Sequence, residues 1–190
     1  MTILGRPKPL GFGQAAQEAH SIAAPMLTAA ALALAGVVAG ADPTFFLWPG
    51  PTLLVLVAAS LSLVASMQLH YHARHYYYSP QDIEAWYGPD AHRSKQYPAL
   101  RVTQRLHFEI WERYIFWAIL SFNAGTSLLG LGVSLALAPS DAGPQAAWRW
   151  VAFAMVLLCT ALDVLWIAHL YRLRNREEQD EETIPESREG

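Results

Sequence analysis

Four apolar stretches, at about 21–41, 52–71, 113–138 and 148–171, constrain this chain more than anything else in it. A helix rises about 1.5 Å per residue, so roughly 20 apolar residues match a hydrocarbon core near 30 Å. The chain therefore reads as an all-α, polytopic membrane protein, a four-helix transmembrane bundle. With 190 residues, 53 % of them hydrophobic, and connections mostly too short to fold alone, residues 1–174 form one membrane domain. Residues 175–190, charged and acidic, are expected to be a disordered tail.

The net charge of -3 conceals a polarised distribution, with bases beside the spans and acids gathered at 177–189. Nothing in it calls for a nucleic-acid partner. Cys159, the single cysteine, lies inside the fourth stretch and reads as a small packing residue. Arginine far outnumbers lysine and alanine is abundant, the composition of a bacterium with a GC-rich genome.

Basic residues near span ends mark the side that stays in the cytoplasm. Arg6 and Lys8 precede the first stretch, Arg74, Arg93, Lys95, Arg101, Arg105 and Arg113 separate the second from the third, and Arg172, Arg174 and Arg176 follow the fourth. The connections at 42–51 and 139–147 carry neither Lys nor Arg. Both termini and the loop at about 72–112 are thus expected in the cytoplasm, and the chain in a bacterial cytoplasmic membrane. A second reading treats 1–41 as a cleaved secretory signal, because Ala39-Gly40-Ala41 imitates a cleavage site. The polar lead and the apolar run are both long for a signal.

Local patterns add detail. Gly36 and Gly40 form a small-xxx-small pair suited to close helix packing. The second helix finds no breaker before Tyr78. Ser79-Pro80-Gln81-Asp82 then reads as a helix start and Gly88-Pro89 as its stop. Residues 99–114 resume a helical pattern that leads into the third span.

Three constellations carry the candidate chemistry. The first is a histidine set in which each helix brings an imidazole to the same end, the first span through His20 at its start. His70, His72, His75, His107 and His169, with Glu109 and Glu112, have the residue types of a metal site or, through imidazole, a haem site. The plainer reading makes these side chains amphipathic interfacial residues. The second is an intramembrane polar layer. By helical rise Asp163 lies about 13 Å and Asn123 about 15 Å from the cytoplasmic ends of their spans, with Ser60, Ser62 and Thr28 at comparable depth. A carboxylate in hydrocarbon costs roughly 2.5 to 3.5 kcal/mol, so Asp163 must face a bundle interior, water or a subunit contact. It serves there either as an ion or proton path or as a packing hydrogen bond. The third is the loop itself, where Arg74, Tyr76, Tyr77, Tyr78, Trp86, Tyr87, Arg93, Arg101 and Arg105 combine rings and cations. Such a surface suits membrane lipid headgroups, a cytoplasmic protein or a small ligand.

No phosphate loop, catalytic triad or paired Cys/His motif is present. The expected function is that of a non-enzymatic integral membrane protein, oligomeric, whose loop binds a partner, lipid or small ligand. Transport through the layer around Asp163 stands as the alternative, and a His-liganded metal or haem redox protein comes third.

Overall fold

The computed structural model describes residues 18–78, 80–88, 97–140 and 143–182, with backbone alone from 174 onward. Its regular structure is helical. Helix α1 spans Ala19–Gly40 and opens with a π-helical turn over Ala19–Ala23. A 3-10 turn follows at Pro43–Phe45, then α2 (Pro49–Arg74), the short α3 (Pro80–Tyr87), α4 (Tyr97–Leu137) and α5 (Ala146–Glu182). Helices α1, α2, α4 and α5 are each long and apolar enough to cross a membrane. At about 1.5 Å per residue, the 41 residues of α4 and the 37 of α5 are far longer than a hydrocarbon core requires.

Three of these helices bury one side chain every three or four residues. On α2 the buried positions include Thr52, Leu56, Ala59, Leu63, Ser66, His70 and Ala73, with Ser60 buried beside Ala59. The steps alternate four and three, a repeat of 3.5 residues, which is the spacing of knobs-into-holes helix packing. Helix α4 repeats it through Trp111, Ile115, Ala118, Gly125, Leu129, Gly132 and Ala136, and α1 through Thr28, Ala31, Ala35 and Val38. Helix α5 differs. Its most apolar stretch has no buried residue, whereas between 28 % and 33 % of the corresponding stretches of the other three are buried.

The chain divides into two compact units. In the first are α1 up to Ala33, α2 from Val57, α3 and α4 up to Thr126. Here Gly125 gives way to α2, since a Cβ at that position would overlap the Leu63 side chain. Ala73, Trp111 and Ile115 form a small core, with Tyr76, Tyr114 and Ile119 packed on it.

The second unit holds the remainder of α1, α2 and α4 together with α5. Gly132 makes room for Leu56 of α2, and Gly130 for Thr160 of α5. The two loops are knitted together. Asp42 caps the 3-10 turn by accepting from Thr44 N and Thr44 Oγ1 at 2.9 and 2.7 Å. Ser140 donates its hydroxyl to Thr44 O, and Phe46 pairs with Pro139 in an isolated antiparallel bridge. Arg149 donates from Nε to Leu137 O at 3.2 Å and from Nη2 to Ala138 O at 3.4 Å, while its guanidinium lies 4.8 Å from the centre of the Phe45 ring. The last carbonyls of a helix lack intrahelical donors, so one Arg both caps α4 and covers an exposed ring.

Several local expectations need correction. A Cβ at Gly36 or Gly40 would meet nothing within 4 Å, so among the described residues that pair seats no helix; the close approaches there fall on Gly125, Gly130 and Gly132. Helix α2 ends at Arg74 rather than running to Tyr78, because the next N–H groups turn back by three residues, His75 N to His72 O and Tyr76 N to Ala73 O. Helix α5 continues to Glu182, well into the segment expected to be disordered. No Gly or Pro lies between Pro144 and Pro185, and the Arg-, Glu- and Gln-rich sequence there propagates a helix readily. Gly88, at φ +87°, closes α3. The cap assigned to Ser79, the polar lead before residue 18 and the tail beyond 182 lie outside the described residues.

Candidate functional site

Most candidate residues lie in the first unit, in two adjoining groups. The deeper group pairs His70, one of the metal candidates, with His20, a partner that the sequence patterns did not assign to it. His20, from the π-helical turn of α1, and His70, from the last full turns of α2, are 3 % and 9 % exposed. Their rings stack with centroids 4.7 Å apart and planes inclined by 28°. His20 Nδ1 lies 3.1 Å from Ser66 Oγ, and the Phe122 ring of α4 meets the His20 ring edge-on at 5.6 Å. His70 Nδ1 is buried without a hydrogen-bond partner among the described residues. An unmet buried polar atom costs about 1–3 kcal/mol, so this is a place where the fold tolerates a penalty. π-Helical turns recur at functional positions, which makes the placement of His20 notable. A signal was present: Ser66 and His70, four residues apart, continue the same 3.5-residue stripe as Leu56 and Leu63.

The second group is a ring cluster where the end of α2 meets the start of α4. Tyr76 stacks on Tyr114 at 5.9 Å with planes 8° apart. Tyr78 Oη lies 3.1 Å from His107 Nδ1, and Gln104 Nε2 donates to Tyr78 O at 3.4 Å. Tyr77 leans on Trp111 at 5.2 Å, and His72 lies 6.3 Å from Tyr114. Tyr71 meets His75 edge-on at 5.0 Å. Arg74 on α2 and Arg101 and Arg105 on α4 are exposed, and Arg105 pairs with Glu109 at 3.7 Å. On α3 Ile83 is buried, whereas Trp86 and Tyr87 are 77 % and 66 % exposed. Of the nine recognition residues, Arg93 lies outside the described residues.

The metal candidates do not converge. Among the described residues no three His, Cys, Asp or Glu side chains are grouped as metal ligands would be. His70 is spent on the stack with His20, and His107 faces tyrosines. His72 and His75, 6.3 Å apart, are both exposed. His169 stands on α5 beside Trp166, in the other unit. Imidazole lone pairs lie in the ring plane, so two nearly parallel stacked rings direct them side by side rather than at a common ion.

The polar layer resolves into separate hydroxyls. Thr28 donates to Ala24 O, Ser60 to Val57 O and Ser62 to Ala58 O, each on its own helix. This back-bonding satisfies a hydroxyl in an apolar setting without linking helices. Asn123 is half-buried on α4, and Asp163 is exposed on α5 with no hydrogen bond or ion pair among the described residues.

No family model, curated protein or solved structure matches this chain.

Proposed function

We propose that this is a non-enzymatic, multi-pass protein of a bacterial cytoplasmic membrane that grips anionic lipid headgroups with the ring cluster and the exposed cations of the same helices. In this reading both termini and the segment joining α2 to α4 face the cytoplasm. The observation that carries it is the set of ring contacts from Tyr71 to Tyr78 against His107, Trp111 and Tyr114, on the same helices as the exposed Arg74, Arg101 and Arg105. Amphipathic rings at the end of apolar helices sit at headgroup depth. A guanidinium there contributes about 1 kcal/mol toward an anionic leaflet.

The test is lipid retention by the full-length chain in nanodiscs of mixed phosphatidylglycerol and phosphatidylcholine, read by native mass spectrometry. Phosphatidylglycerol should be enriched among retained lipids. Changing Arg74, Arg101 and Arg105 together to Gln should remove that preference while the helical circular dichroism persists. Equal retention of both lipids by the parent chain would overturn the reading.

A second reading, proton movement across the membrane, draws on the buried His70 Nδ1, without a partner among the described residues, beside His20 and Ser66. Proteoliposomes loaded with a pH dye discriminate: flux abolished by His70→Phe or by Asp163→Asn would favour transport over lipid binding.

A further inference from the structure

Asp163 poses a problem that the chain does not solve. It lies ten residues from Leu173 and seventeen from Ala146, about 15 and 25 Å along the helix, well within the apolar stretch of α5. Its carboxyl is exposed and takes no hydrogen bond or ion pair among the described residues. Hydrocarbon offers no donor. One helical turn away Trp166, 61 % exposed, also makes no hydrogen bond among the described residues, and its ring lies beside that of His169. Helical side chains lean toward the N-terminus, so an indole at 166 covers the surface at the level of residue 163.

These two residues belong to one face. Cys159, Asp163, Trp166, Leu170 and Leu173 follow in steps of four, three, four and three, all exposed. That 3.5-residue repeat is the one along which α2 and α4 bury their side chains. Thr160, seated on Gly130, marks where α5 meets α4. At about 100° per residue the Cys159–Leu173 face is centred roughly 90° around the helix from Thr160, so packing on α4 leaves it open.

We propose that this face is the seam of a parallel homodimer, with α5 of one copy laid against α5 of a second. Copies inserted the same way bring residues of equal depth together. Each copy presents one unmet acceptor, the Asp163 carboxyl, and one unmet donor, the Trp166 indole N–H. A two-fold axis matches them twice, Trp166 of each copy donating to Asp163 of the other. Self-complementarity of this kind is what a second copy supplies and what a single foreign helix supplies only by carrying the same pair.

Cys159 gives a test that needs no substitution. The full-length chain is reconstituted in phosphatidylcholine vesicles at falling protein-to-lipid ratios and oxidised with copper phenanthroline. A disulfide needs Cα atoms within about 7 Å, so only facing Cys159 residues link. A species of doubled mass should form and persist on dilution. Leu165→Cys in a Cys159→Ser background, equally exposed but on another face, should link about tenfold more slowly. Interhelical hydrogen bonds in membranes contribute little each, so losing the reciprocal pair should weaken association about tenfold. Asp163→Leu, Trp166→Phe and the double variant should each show that same loss, because the two residues act as one contact. A chain that stays monomeric at every ratio, or links as fast through position 165 as through 159, overturns the proposal.

Discussion

Arg149 shows how one side chain can hold an end of the molecule. Charged donors to carbonyls contribute about 1.5–3 kcal/mol each at most, and here several share one guanidinium. Arg149→Ala should therefore lower stability by about 2–3 kcal/mol, and Arg149→Lys should recover only part of it, since an ammonium lacks the fork that reaches both Leu137 O and Ala138 O. Thermal unfolding in mild detergent, followed by near-ultraviolet circular dichroism, measures both. This residue escaped the tally of basic flanks because it sits inside an apolar run, between Trp148 and Trp150. Asp42 is a second local device. The hydroxyl and the N–H of Thr44 hold its carboxyl below the usual aspartate range. A depressed folded value means that Asp42 favours the folded loop above about pH 3.9 and loses that contribution as pH falls through the folded value. In a nuclear magnetic resonance titration Thr44→Val should move the Asp42 midpoint upward; an unchanged midpoint would show that the hydroxyl does not act on it.

At the scale of the helices, glycine placement separates packing from composition. Gly125→Leu and Gly130→Val should each destabilise by about 1–3 kcal/mol, because Leu63 and Thr160 occupy the space a side chain needs. Gly36→Ala should be neutral or stabilising, by up to about 1 kcal/mol, because nothing lies near it and alanine favours helix. Detergent unfolding of the three variants side by side checks the order; equal effects would mean that the close approaches do not bear load. The existence of the four long helices was legible because twenty apolar residues have few other folds open to them. Which glycines matter was not legible, since every span is rich in small residues and the choice depends on which neighbour arrives. The histidine site was half legible for the same reason. Composition drew attention to His70, His72 and His75, yet the tertiary fold pairs His70 with His20, fifty residues away, and leaves His72 and His75 exposed. The 3.5-residue stripe through Ser66 and His70 was the readable clue, and it becomes visible only when polar residues are kept in the pattern along with apolar ones.

At the scale of the whole chain, cations and rings are distributed unequally between the connections. The loops at 42–48 and 139–145 have no Lys or Arg, and the nearest guanidinium, Arg149, is committed to the carbonyls that end α4. Arg74 at the end of α2, Arg101, Arg105 and Arg113 in the first half of α4, and Arg172 in the second half of α5 are all exposed. Orientation follows basic residues that are free to interact with the membrane surface and the insertion machinery, so a cation spent on a helix end should count for little. Sidedness then has a sharp expectation. In a Cys159→Ser background, cysteines at Leu47 and Gln145 should react with a membrane-impermeant maleimide in intact cells. Cysteines at Tyr77 and Gln104 should react only after permeabilisation. Arg149→Gln should leave that pattern unchanged, because the charge it removes was already occupied. If Arg149→Gln alters the labelling, the Arg149 charge does count toward orientation; if Tyr77 and Gln104 react from outside, the ring cluster faces the other leaflet and the proposed cytoplasmic lipid site loses its basis.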